Sequence, residues 1–317
     1  MSPNSRGPRR VLVTGGSGFI GRQCLPLLVE RGHEVHALSS RSRPAPIPGV
    51  IWHQLDLLTD RDTDALCERV RPEAVLHLAW VTTPGVYTRT PLNLDWVAAS
   101  LRLARSAVAH GASRLVSAGT CFEYDHAAPE SCQEGATPLR PDTLYGASKV
   151  ALGDLLAAFA REVGIGNAWG RVFFLYGPHE HPDRLVASVI RSLLAGEQAA
   201  CSLGTQVRDF LHVRDVAAGF VALLDSDVMG AVNIASGEPL TVRELVLEIG
   251  EQLRRPELIA LGARPLSPRD PPRVVADITR LRDEVGFRPR FDRHTGIGDT
   301  IAWWADHHHR PTPGSES

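Results

Sequence analysis

No apolar run in this chain approaches the roughly 20 residues that a membrane-spanning helix requires, and its first ~20 residues lack the apolar core of a secretory leader. Cysteine is sparse and unpatterned. Cys24, Cys67, Cys121, Cys132 and Cys201 make an odd count of five, with no C-x-x-C spacing. Neither a disulfide framework nor a cysteine metal site fits that pattern, and a reducing, cytoplasmic setting is expected. An excess of either charge is missing too. The 34 Lys plus Arg and 36 Asp plus Glu leave a formal net charge of -2, so no global field draws nucleic acid or an anionic membrane to the chain. The basic start from Arg6 to Arg10 is short and reads as a disordered lead-in. His307-His308-His309 has no cysteine or acidic cluster nearby to complete a metal site, so a polar tail and no metal are expected there. Internal repeats and low-complexity linkers are absent.

What is present is an ordinary globular composition of 317 residues, 43% hydrophobic and 22% charged, long enough for one large domain or two small ones. Strand and helix signals alternate from the start. Val11–Val13 reads as a buried strand, followed by a glycine-rich turn and a helical pattern from Phe19 to about Arg31, which Gly32 ends. Strands are expected at Glu34–Leu38, Val50–Gln54, Ala74–Ala79, Arg114–Ser117 and Ala168–Leu175. Helices are expected at Thr59–Val70 with Thr59 as N-cap, at Leu92–His110 before Gly111, and from Tyr145 to about Val163. This rhythm predicts an α/β fold, a parallel sheet with helices on both faces. After Gly177 the pattern becomes irregular, with helices over 184–195, 213–225, 241–253 and 297–306 and short strands near 199–203, 208–212 and 232–235.

Gly16-Ser17-Gly18-Phe19-Ile20-Gly21 matches G-x-G-x-x-G, and Gly15, Gly18 and Gly21 fit a G-x-x-G-x-x-G spacing. Glycines let the backbone turn sharply and approach a pyrophosphate, whose charge meets the helix N-terminus. Because the loop follows a strand and opens a helix, it predicts dinucleotide binding on a Rossmann-type doubly wound sheet. An acid at the end of the second strand binds the ribose 2′-hydroxyl of NAD, whereas Arg accepts the 2′-phosphate of NADP. The segment here is Leu38-Ser39-Ser40-Arg41-Ser42-Arg43, with no acid, so NADP is favoured and NAD is the alternative. Solvated loop charges are the other reading of Arg41 and Arg43. Arg22 stands ready to help with phosphate. Asp56, with Leu57 behind it, contacts the adenine edge or simply caps a turn.

Tyr145 and Lys149 lie four apart, on one face of a helix. An ammonium beside a phenol favours the phenolate and lowers the tyrosine pKa from its usual ~10. Such a tyrosine passes protons near neutral pH. Thr120 stands 25 residues upstream, at the end of the fifth strand.

With Thr14-Gly15-Gly16 through Gly21, His77-Leu78-Ala79, Asn93, Arg171 through Tyr176-Gly177-Pro178, Arg208 through Asp215 and Ala276-Asp277, this chain resembles the extended short-chain dehydrogenase/reductase family of nucleotide-sugar epimerases, dehydratases and reductases. The resemblance covers nearly the whole chain. It implies that Thr120 bonds the substrate oxygen, Tyr145 passes the proton, and Lys149 holds the nicotinamide ribose and tunes Tyr145. Asn93 would hold a water or backbone group behind Lys149, or be structural. Residues 9–177, with return segments at about 205–235, would form the dinucleotide-binding domain; 178–204 and 236–308 would form a nucleotide-sugar lobe, with 1–8 and 309–317 disordered.

On the same resemblance Arg208 binds the substrate diphosphate, and Arg269 or Arg273 is a second clamp. Two guanidinium forks suit two phosphates. Phe174 stands where the family's R-x-F-N-x-x-G segment has Asn, removing one polar contact. Trp80, Cys121, Phe122 and Glu123 fall on sugar-facing segments, with Trp80 either stacking on substrate or packing the core. His179 and His181 follow Gly177-Pro178 as loop or ligand residues. Dehydratases of the family carry Asp-Glu right after the catalytic Thr; here Cys121-Phe122 follows, and Cys121 reads as a packed small hydrophobe rather than a base. What remains is carbonyl chemistry. NADPH-dependent reduction of a nucleotide-activated 4-keto-6-deoxyhexose comes first, 4-epimerisation second, and a non-catalytic dinucleotide sensor a distant third. Val97, Leu101 and Val108 on one helix and Val150 and Leu155 on another make apolar stripes that face the sheet or pair the chain into a homodimer.

Overall fold

Strands that are apolar on both faces must be covered on both faces, and that requirement sets the architecture. The computed structural model describes residues 7–40, 44, 46–59, 62–127, 130–267 and 270–307. In chain order the elements are β1 (Arg10–Thr14), α1 (Gly21–Glu30), β2 (Glu34–Ser39), β3 (Val50–Gln54), α2 (Thr63–Val70), β4 (Ala74–His77), α3 (Leu92–Ala109), β5 (Arg114–Thr120), α4 (Leu144–Val163), β6 (Gly166–Val172) and β7 (Phe174–Tyr176). There follow α5 (Leu185–Ala195), β8 (Ala199–Ala200), β9 (Val207–His212), α6 (Val213–Asp225), β10 (Gly230–Ile234), β11 (Pro239–Thr241), α7 (Val242–Gln252), β12 (Ile259–Ala260), β13 (Arg273–Val274) and α8 (Arg293–His307).

Seven parallel strands form the main sheet in the order β10-β6-β5-β4-β1-β2-β3. Successive residues of β1 feed opposite faces, as strand geometry demands. Val11 and Val13 pack with Cys24, Leu25 and Leu28 of α1 and Phe220 of α6, while Leu12 packs with Leu66, Leu103, Leu152 and Leu156 of α2, α3 and α4. All of these side chains are fully buried, each leucine contributing roughly 2 kcal/mol. Strand order reverses between β1 and β4, so the crevice at their carboxyl ends is where a doubly wound sheet binds ligands.

Beside the main sheet, β11, β9 and β13 form a small sheet to which β7 adds through β9. A third core gathers there around Tyr176, Ile190, Leu245 and Ile297. The expected strand Ala168–Leu175 is two strands. It leaves the main sheet at Phe173, whose backbone NH donates to Ile234 O at 3.3 Å, and resumes on β9. An apolar run carries no mark of which sheet it joins. Thr59 is not a helix cap: α2 begins at Thr63. The last helix starts at Arg293, four residues ahead of the expected 297, because Asp292 accepts from Thr295 N at 2.8 Å and anchors the first turn. Residues 1–6 and 308–317, where disordered ends and His308-His309 were expected, lie outside the described residues, as do Arg41, Arg43 and Arg269. Among the described residues no helix is long and apolar enough to cross a membrane.

Candidate active site

The glycine loop is shaped by steric necessity. Gly15 has φ +67, and a Cβ there would stand 2.8 Å from Ala79 N; a Cβ on Gly21 would stand 2.1 Å from Gly15 O. Gly18 N donates back to Gly15 O at 2.9 Å. The ends of β1 and β4 are locked together. Thr14 Oγ1 meets His77 Nδ1 at 2.7 Å and accepts from Ala79 N at 3.2 Å. Gly15, Gly18, Phe19, Ile20, Gly21 and Ala79 therefore line one end of a cleft of about 600 Å³, the size of a site for a cofactor-sized ligand. Bare backbone at a helix N-terminus fits a pyrophosphate.

The other cofactor positions divide. Arg22 binds its own loop, donating to Ser17 O at 3.0 Å, and pairs with His179 Nδ1. Ser39 is buried at the end of β2 and Ser40 is exposed just beyond it. Asp56 Oδ1 accepts from Leu58 N at 2.9 Å, the turn-capping alternative, and Leu57 is buried in the core with its carbonyl taking Arg102 Nη2 at 3.0 Å. None of these lines the cleft.

Thr120, Tyr145 and Lys149 come together in the cleft wall. Thr120 ends β5, and a short turn over Cys121–Glu123 caps it reciprocally: Thr120 Oγ1 accepts from Phe122 N at 3.3 Å and Glu123 accepts from Thr120 N at 2.8 Å. Glu123 is fully buried behind this turn, held by Arg171 at 2.6 Å and Trp169 Nε1 at 2.9 Å. It orients Thr120 and does not reach the cleft. Tyr145 sits in the first turn of α4, whose N-cap Thr143 accepts from Gly146 N at 3.1 Å. The Tyr145 and Thr120 hydroxyls are hydrogen-bonded. One turn on, Lys149 Nζ donates to Ala118 O at 2.8 Å.

The electrostatics correct one expectation. Burial drives the Tyr145 phenol above its ordinary range, with the Thr120 hydrogen bond pulling back. Burial also lowers Lys149 to about 7, against the pull of Glu123. Lys149 therefore does not hold Tyr145 below its usual value here. Its ammonium faces a carbonyl and the Trp80 ring, 3.7 Å from the ring centroid, and loss of water outweighs the helix-face neighbour.

On the far side of the cleft Arg208 is buried, lies over the Phe174 ring at 5.2 Å and is ion-paired with Asp270. Arg273 does not line the cleft, and its Nε donates to Glu130 O at 2.6 Å. Cys121 and Phe122 line the cleft; burial pushes the Cys121 thiol up, so it is packed rather than basic. His181 lines the cleft, whereas His179 packs against Trp303 in a tilted arrangement with ring centroids 4.5 Å apart. Asn93 holds two backbone carbonyls, Tyr87 O at 2.7 Å and Thr90 O at 2.9 Å, and accepts the Trp80 indole NH at 2.8 Å.

Tyr87 and Glu180 are among the cleft residues that carry no signal in the sequence. Tyr87 stands edge-on to Tyr145 at 5.0 Å. Glu180 is 6% exposed, and its Oε2 is buried with no hydrogen-bond partner among the described residues. Burial pushes it up to about 8, against Arg184 and the Ala187 backbone. Neither carries a spacing signal. Lys149 carries one of another kind: it is the only lysine in the chain.

A family model described as the NAD dependent epimerase/dehydratase family matches residues 11–235. The dTDP-glucose 4,6-dehydratase of Streptomyces griseus is 31% identical over 94% of each chain. The UDP-glucose 4-epimerase of Corynebacterium glutamicum is 27% identical over 93% of this chain and 94% of its own. A crystal structure of the Thermus thermophilus UDP-glucose 4-epimerase in complex with NAD superposes with a TM-score of 0.82 at 28% identity, covering 93% of this chain and 98% of that one.

Proposed function

This chain belongs to the NAD dependent epimerase/dehydratase family, and we propose that within it the chain is a reductase of a nucleotide-activated 4-keto-6-deoxyhexose, using NADPH. The observation that carries the reading is the wall beside Thr120. Elimination needs a second acid/base next to the catalytic hydroxyl, and there the chain offers Cys121, a buried thiol held neutral, and Phe122, an aromatic ring. Glu180, elsewhere in the cleft, keeps its proton at neutral pH and serves as a donor rather than a base. Aromatic rings from Trp80, Phe122, Phe174 and Phe210 line the cleft, a surface suited to a sugar that has lost a hydroxyl.

The dinucleotide supplies the hydride when bound. The chain's own residues handle the oxygen. Thr120 donates to the carbonyl, Tyr145 delivers the proton, and Lys149, which titrates near neutrality, recharges Tyr145. Arg208, released from Asp270, takes the diphosphate as a bidentate partner. Ser39 and Ser40, with no acid at the end of β2, support NADPH, because a carboxylate there would repel a 2′-phosphate. A 4-epimerase with retained NAD is the second reading, favoured by the likeness to UDP-glucose 4-epimerases. Five buried free thiols fit a reducing cytoplasm.

The test is NADPH oxidation by purified protein on a panel of CDP-, dTDP- and UDP-4-keto-6-deoxy sugars. Turnover of one of them is expected. Unchanged NADPH throughout, with interconversion of UDP- or dTDP-hexoses, would establish the epimerase instead.

A further inference from the structure

Of the 34 Lys plus Arg residues one is lysine, and it stands at position 149. Arginine stays charged in proteins, whereas lysine gives up its proton when buried. Lys149 is 3% exposed, and its one hydrogen bond among the described residues goes to Ala118 O. The ionisable groups facing it are His77 from β4, Glu123 from the turn after β5, and Tyr145 from its own helix. Glu123 is already committed to Arg171 and Trp169. Among the described residues no carboxylate comes within ion-pair distance of Lys149. Two indole faces take that place. Nζ lies 3.7 Å from the Trp80 ring centroid and 5.8 Å from that of Trp169.

The Trp80 ring is held in this pose. Its Nε1 donates to Asn93 Oδ1 at 2.8 Å, and Trp96 stacks on it at 5.9 Å and 27°. Asn93 is itself fully buried and donates to the Tyr87 and Thr90 carbonyls. The indole therefore cannot turn without breaking its hydrogen bond to an Asn93 whose amide is held in place by two backbone carbonyls.

We propose that Trp80 is a positioning residue, its indole face fixed by Asn93 and standing in for a carboxylate partner that keeps the Lys149 ammonium charged and in place one turn from Tyr145. A ring quadrupole attracts a cation without competing for the proton that Lys149 must exchange, and the attraction grows as water is excluded. Burial holds Lys149 to about 7, so the contact decides its charge at neutral pH. Trp80 thus acts on the lysine as well as lining the cleft. The inference rests on the proposed role of Lys149 in the hydride site.

One lysine makes a direct measurement available. Full-length protein labelled with 13C,15N-lysine gives a single lysine side-chain signal, read by NMR against pH without cofactor or substrate. The wild-type midpoint is expected near neutrality. Trp80→Leu is expected to lower it by about half to one and a half pH units; Trp80→Phe and Asn93→Ala shift it the same way by less. An unmoved or raised midpoint in Trp80→Leu overturns the assignment. If that variant fails to fold by circular dichroism, Trp80→Phe and Asn93→Ala carry the comparison, and unmoved midpoints in both overturn it. Because no turnover is measured, a wrong substrate class leaves the result standing.

Discussion

Glu180 is a carboxyl held in the cleft wall with one oxygen unpaired, and its cost and its use have the same origin. Removing water from a carboxylate disfavours the charge, so the folded pKa rises from the ordinary 4.5 to about 8. Between those values the folded protein keeps a proton that the unfolded chain has released. The stability linked to Glu180 is full below about 4.5 and is lost as pH rises through about 8. Glu180→Gln removes this dependence. Between pH 5 and 8 the wild-type melting temperature should fall relative to that of Glu180→Gln, a difference on the order of a few kcal/mol. Parallel melting curves for the two proteins would show that Glu180 is ionised in the fold. At this scale Tyr145, Lys149 and Thr120 were legible, because helix spacing and a strand end are local properties. Glu180 was not, because its burial depends on residues far away in the chain.

The glycine loop shows how an element fixes a site. Gly21 opens α1 with its Cα facing Gly15 O, and a Cβ there would lie 2.1 Å from that oxygen. Backbone cannot yield as a flexible side chain can. Gly21→Ala is therefore expected to leave the sheet folded by circular dichroism yet weaken dinucleotide binding at least about tenfold, equivalent to ~1.4 kcal/mol, in a fluorescence titration. Unchanged affinity would mean that the loop is not the pyrophosphate cradle. The main-sheet elements were readable because each buried strand and amphipathic helix carries its own period. The break at Phe173 was hidden because Phe174–Tyr176 is as apolar as the strand before it. Gly296 and Gly298 masked the start of α8; Gly296 is needed where the helix crosses Tyr176, whose hydroxyl would lie 2.4 Å from a Cβ.

At the scale of the whole molecule, α3 and α4 lie side by side on one face of the sheet and turn Leu94 and Leu155 to solvent, 58% and 48% exposed. Val97, Leu101 and Val150 are half-buried around them. Apolar residues gathered on neighbouring helices suit a two-fold interface, where one patch meets itself. The double variant Leu94→Glu/Leu155→Glu is expected to run as a monomer in size-exclusion chromatography with light scattering, and the wild type as a dimer. A monomeric wild type would remove the homodimer.

The sequence by itself determined the β/α order, the dinucleotide loop and the Thr120, Tyr145 and Lys149 set, because turn sterics and helix spacing act over a few residues. Only the tertiary structure decided the surroundings of those groups. It turned Trp80 onto Lys149, joined Arg208 to Asp270, turned Arg273 away from the cleft and aimed Glu180 into it. The physical reason is that desolvation and cation–π contact belong to no segment: they arise when β4, β5, α4 and the chain after β7 close around one space and exclude water from it.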